Sequence, residues 1–195
     1  MLLALLTAIV VLLQIPATMI RFGMFQVSAV LVPIVIGAAL INKWAGAWLG
    51  LVFGFAVLAI GIVTSDPGLI AFIAVNPAGA IFIVLIKGAL AGLLAGLVYR
   101  IFQRQQKSSR TVAVVLAAAT APIVNTGVFV IGCYLFFFET IAGWAGGGGG
   151  LGDVTLFIVA TMIGLNFVFE LGLNIVLAPV IVRLVQLGQD RMRKA

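Results

Sequence analysis

Histidine is absent from this sequence, Cys133 is its single cysteine, and charged residues make up only 8% of it. The first two absences exclude His-rich, Cys-cluster and mixed Cys/His zinc sites, and with them any intramolecular disulfide. Acidic residues number 5 in all and stand far apart in the chain, which argues against a hydrolase built on paired carboxylates. No GxxxxGK[ST] run occurs, and the glycines from Gly146 to Gly150 lack the strand, helix and lysine that make a phosphate cradle. The expectation is a protein with no catalytic residues, no metal and no cofactor. Any ATP that drives it must be hydrolysed by another chain.

The residues present are mostly apolar. Of the 195, 64% fall in the hydrophobic set, and the mean hydropathy is +1.34, far from the roughly even balance of soluble domains. A membrane-spanning helix takes about 20 apolar residues. Uninterrupted apolar runs place spans at about 2–20, 26–41, 44–63, 80–102, 111–138 and 154–187. The fold class is therefore an all-α integral membrane protein, a bundle of six transmembrane helices forming one membrane domain over 1–195. The first run lacks a charged leading segment and is read as a retained span, not a cleaved signal.

The formal net charge of +6 raises the question of nucleic acid, but the placement of the bases answers it. With both termini inside, the inner set holds Lys43, Arg100, Arg104, Lys107, Arg110, Arg183, Arg191, Arg193 and Lys194. The outer set holds Arg21 as its one base, with Asp66, Glu139 and Asp153. That is the asymmetry of the positive-inside rule. The basic excess reads as topology, with cytoplasmic termini and no nucleic-acid partner.

Polar residues at membrane depth are costly unless paired, hydrated or facing a cavity. Lys87 falls near the middle of the fourth span and Glu170 at or below the middle of the sixth. Asn166, Glu170 and Asn174 recur every four residues and form one polar stripe, and Asn125 follows Pro122 in the fifth span. An ion pair and a polar-ligand site are the two natural explanations of the charges, and interhelical hydrogen-bond glue is the alternative for the amides. Glycines recur with the same spacing, Gly46, Gly50 and Gly54 in the third span and Gly88, Gly92 and Gly96 in the fourth. Each triplet leaves a face on which a neighbouring backbone can approach closely.

Two longer loops are expected outside. Residues 64–79 combine Asp66, Pro67, Asn76 and Pro77 with apolar Ile70, Phe72 and Ile73, a loop that folds back on the membrane surface. Residues 139–153 hold Trp144 and the glycine run, which suits a lid that orders on binding and equally an idle connector with an interfacial anchor.

Five stretches in order, VLVPIVIGAAL, AGAWLGLVFG, NPAGAIFIVLIKGALAGLLAGLVYR, APIVNTGVF and NFVFELGLNIVLAP, extend over most of residues 1–187. In them the chain resembles the substrate-binding (S) components of energy-coupling factor (ECF) vitamin transporters. The resemblance implies high-affinity capture of a vitamin or related micronutrient in a prokaryotic plasma membrane. It also implies partnership with a coupling module of one transmembrane subunit and two ATPases. Ala4 and Ala8 match the Ala-x-x-x-Ala pattern by which such proteins dock on the coupling subunit. The expected ligand contacts are Lys87, Asn125, Asn166, Glu170, Asn76 and Trp144. Lys87 and Arg21 suit a carboxylate, which makes pantothenate the lead substrate, with cobalamin, other B vitamins and queuosine-type precursors open. A self-sufficient secondary transporter or channel, with Lys87 and Glu170 on an ion path, is the main rival.

Overall fold

The computed structural model describes residues 1–17, 21, 22, 25, 26, 30–104, 110–146 and 150–194. They form α1 (Leu2–Ala17), a short antiparallel ladder of Arg21–Phe22 with Phe25–Gln26, α2 (Leu31–Leu40), α3 (Lys43–Val63), α4 (Pro67–Val75), α5 (Pro77–Arg104), α6 (Arg110–Phe136), α7 (Phe138–Ala145), α8 (Leu151–Phe157), a π-helical turn (Ile158–Ile163) and α9 (Gly164–Lys194).

Four helical stretches are long and apolar enough to cross a membrane, Lys43–Val63, Pro77–Gln103, Thr111–Phe136 and Leu151–Leu187. Two apolar helices are shorter, Leu2–Ala17 and Leu31–Leu40. The expectation of six full-length spans is corrected in this respect. At 1.5 Å per residue α2 is about 15 Å long, half the thickness of a hydrocarbon core. Its residues are nonetheless almost all buried, against α3, α5, α6 and α9.

The helix starts follow from side-chain chemistry. Asn42 accepts the Ala45 N–H at 2.9 Å and Asp66 accepts the Leu69 N–H at 2.9 Å. Asn76 accepts the Gly79 N–H at 2.9 Å. Each satisfies an amide that the first turn leaves without a partner. Pro67 and Pro77 supply the pre-set φ of a first helical residue. The segment 64–79, expected as a loop, is for this reason helical over Pro67–Val75, and it buries Leu69 and Phe72 against the bundle. The segment 139–153 likewise contains α7, which ends at Gly146 with φ of 66°, a left-handed conformation that glycine adopts without strain. Gly147, Gly148 and Gly149 lie outside the described residues.

The glycine triplets meet one another. α3 runs against α5 with Gly46 opposite Gly92, Gly50 opposite Gly88, and Gly54 opposite Val84. A methyl group at Gly50 would collide with the Gly88 carbonyl, and one at Gly92 with the Gly46 carbonyl. Gly96 faces the backbone of Lys43 in the same way. The two backbones are thus in direct contact along the seam.

Side chains elsewhere form a small cluster of Leu58, Leu69 and Val84 and two large apolar cores. One, at the end of the bundle that carries the chain termini, gathers Leu6, Val10, Ile34, Phe53, Tyr99 and Ile181 with the alanines of α6. The other, at the end that carries α4 and α7, gathers Phe72, Ile83, Phe129, Phe137, Ile141 and Met162. Polar residues lie between them.

Candidate functional site

Four helices pass through both cores or reach the boundary, and each places a polar side chain there. On α6, Ala121 belongs to the first core and Phe129 to the second, and Asn125 stands one turn from each. On α9 and the π turn, Met162 belongs to the second core and Ala178 to the first, with Asn166, Glu170 and Asn174 at successive turns between. On α5, Lys87 is one turn from Ile83 of the second core. On α1, Gln14 is one turn beyond Val10 of the first. Helical spacing alone therefore gathers these groups into one layer.

The layer encloses two adjoining chambers. One, of about 50 Å³, is lined by Lys87, Asn125, Thr126, Asn166, Phe167 and Glu170, with Phe129, Met162 and Ile163. The other, of about 70 Å³, lies between α1, α3, α4 and α5 and carries Gln14 and Asp66 on otherwise apolar walls. Lys87 and Phe129 line both. The Lys87 ammonium sits 5.1 Å from the centroid of the Phe129 ring, a cation–π contact at the junction. Glu170 lines the smaller chamber with Lys87, and Asp66 the larger.

Asn125, Asn166 and Glu170 are 5–6% exposed and Asn174 is fully buried. Asn174 Nδ2 donates to the Glu170 carbonyl at 2.9 Å, an in-helix bond that leaves its oxygen unused. Asn125 Oδ1 has no hydrogen-bond partner among the described residues, and neither has Gln14 Oε1. A buried amide oxygen without a donor is costly, so a layer of this kind calls for water or solute in the chambers.

The π turn Ile158–Ile163 governs how the stripe is aimed. A π turn takes up an extra residue, and one residue of helix is about 100° of rotation, so the turn sets which face of α9 meets the chamber. Met162 and Ile163, at its end, are themselves wall residues. The preceding α8 is tied to α6 by the Tyr134 and Thr155 hydroxyls, 2.6 Å apart.

Of the residues expected at a ligand site, the structure brings Lys87, Asn125, Asn166 and Glu170 to one chamber. Asn76 and Trp144 line neither chamber. Asn76 caps α5. Trp144 stacks on Phe72 at 5.7 Å, and Phe72 stacks in turn on Phe137 at 4.2 Å and lines the larger chamber. Ala4 and Ala8 both lie exposed on α1, on the side away from buried Leu6 and Val10. Gln14, Asp66 and Thr126 are chamber residues that the reading of the spans passed over. Gln14, a lone amide in an apolar run, carried a usable signal.

The sequence matches the family model described as ECF transporter, substrate-specific component, over residues 1–182. The chain belongs to this family of ECF transporter S components. No curated protein matches the sequence significantly. As an S component it is a substrate-binding subunit of a transporter and not an enzyme, a multi-pass protein of the prokaryotic plasma membrane. It serves uptake of a vitamin or micronutrient in partnership with an ECF module.

Proposed function

We propose that the polar layer of this S component is its substrate site, with Lys87, Asn125, Asn166 and Glu170 as the contacts. The observation that carries the reading is Asn125. Its side chain is 5% exposed and lines a chamber, yet its oxygen has no partner among the described residues. Hydrogen-bond glue between helices would leave that oxygen satisfied. A solute that donates to it explains why the oxygen is held open.

Pantothenate is the lead cargo. Its carboxylate would pair with the Lys87 ammonium, and its amide and hydroxyls suit the asparagine amides. Glu170 holds Lys87 in place and accepts from the solute. Trp144 acts through Phe72 and Phe137 as part of the cover over the chambers, and Asn76 by fixing the start of α5. Orientation follows the basic residues, with both termini cytoplasmic and the α4–α7 end outside. The exposed Ala4 and Ala8 form a shallow groove on α1 for the transmembrane subunit of a coupling module whose two ATPases supply the energy.

Radiolabelled pantothenate tests this. Binding to the purified wild-type chain is expected, with at least a tenfold loss in Asn166→Leu at equal folded yield. Uptake is expected only in cells that also make the coupling module. Uptake by the chain without any coupling subunit would favour the secondary-transporter reading. Equal binding by wild type and variant would remove the site.

A further inference from the structure

The larger chamber is built differently from the one that holds the asparagines. Val57, Leu69, Ile83 and Val84 make its walls apolar, and besides Lys87 its polar side chains are Gln14 and Asp66. Gln14 is 1% exposed, and its Oε1 has no hydrogen-bond partner among the described residues. Asp66 is 4% exposed and spends one carboxylate oxygen on the Leu69 N–H. A glutamine inside an apolar helix costs stability unless something donates to it. Nothing in the packing of α1 on α2 and α3 requires an amide there, since Leu6 and Val10 do the same work one and two turns earlier.

We propose that this chamber is a second subsite, which receives a hydroxyl- or amine-bearing aliphatic arm of the transported molecule and bonds it through Gln14 Oε1. The inference rests on the reading of the neighbouring chamber as the substrate site, and it adds what the cargo must look like. The two chambers share Lys87 and Phe129 and nothing else. One molecule reaches both by passing alongside the Lys87–Phe129 contact at the junction. The cargo is then elongated, with a polar head among the asparagines and a less polar arm tipped by a donor. A second acidic group on the arm is disfavoured, because the Asp66 carboxylate lines the same chamber and repels a like charge.

Disulfide tethering tests the subsite without knowledge of the cargo. Val57→Cys, in the full chain carrying Cys133→Ala, is equilibrated with a mixture of 2-mercaptoethanol, propanethiol, cysteamine and 2-mercaptoethanesulfonate, and the adducts are weighed by intact mass spectrometry. The hydroxyethyl and aminoethyl adducts should exceed the propyl adduct at least threefold, and the sulfonate adduct should be the rarest. Adding Gln14→Leu should remove the preference for the hydroxyl. Val84→Cys, on α5, provides the same measurement if Val57→Cys folds poorly. Equal hydroxyethyl and propyl adducts, a preference unaltered by Gln14→Leu, or no adduct at either position would each overturn the subsite. These results do not depend on Asn166. Loss of the tethering preference with pantothenate binding still sensitive to Asn166→Leu would remove the arm subsite alone, and the reverse pattern would remove the substrate site alone.

Discussion

Gly88 and Lys87 are neighbours on α5 and serve opposite faces of it. Gly88 lies in the seam with α3, where backbones touch and any added atom meets a carbonyl. Lys87 lies at the junction of two chambers, where a long side chain has room and polar company. The seam gains its tightness from what is missing, because dispersion between close backbones replaces side-chain packing in a medium with no hydrophobic drive between helices. The layer beyond Lys87 forgoes tight packing for polar groups around a chamber, as the proposed solute site requires. One rigid helix edge thereby positions one adaptable cavity, the division expected of a site whose supports must not move when it fills.

The comparison is most severely tested by unbalancing the layer. Lys87→Met removes the cation that shares the chamber with Glu170, and if the two are paired as proposed, breaking a buried pair from one side costs about 3–5 kcal/mol. The variant should therefore show a large loss of thermal stability. The double variant Lys87→Met with Glu170→Leu should recover most of it and still fail to bind solute. Recovery of both properties would show that the pair is structural.

The seam comes next. Gly50→Ala or Gly88→Ala drives a methyl group into a facing carbonyl and should cost about 1–3 kcal/mol, read as a lower melting temperature in detergent. Gly172→Ala, where nothing lies within 4 Å, should change stability by no more than about 0.5 kcal/mol. Equal effects at Gly50 and Gly172 would mean that the seam is not in close contact.

Smaller effects are expected in the layer and at its cover. Asn125→Leu removes an amide whose oxygen has no partner among the described residues, so it should leave stability within about 0.5 kcal/mol while lowering solute affinity about tenfold, the equivalent of about 1.4 kcal/mol. Trp144→Ala takes one ring from the stack on Phe72 and should raise the solute off-rate severalfold, read by stopped-flow release, with less change in the on-rate. The smallest effect on the isolated protein belongs to Ala4→Leu with Ala8→Leu. Both positions are exposed, so folding and affinity should be unchanged, and the loss should fall on co-purification with the coupling module and on ATP-dependent uptake. Loss of folding instead would place these alanines inside the bundle's own packing.

Much of this architecture was legible in the chain because it depends on spacing. Glycines four apart on two consecutive spans had only to meet, and Asn166, Glu170 and Asn174 had only to share a face. What spacing could not give was depth and length. Residues 26–41 are mostly apolar, and hydropathy does not reveal that the helix described there is Leu31–Leu40. Residues 64–79 read as a loop because proline breaks a helix interior, whereas after Asp66 and Asn76 a proline begins a helix. The π turn has no residue signature in Ile158–Ile163, yet it sets how the stripe is aimed. Trp144 was visible as an exposed-loop aromatic, but its partner Phe72, 72 residues earlier, could be found only in the fold.

The claim that the layer is a solute site and not helix glue is tested most directly by mass spectrometry of the small molecules retained by the purified protein. Wild type and Asn166→Leu are prepared in parallel at matched folded yield. The account predicts that a vitamin-class molecule accompanies the wild type and is depleted at least tenfold from the variant. Retention of the same molecule by both, or of none by either, would contradict it.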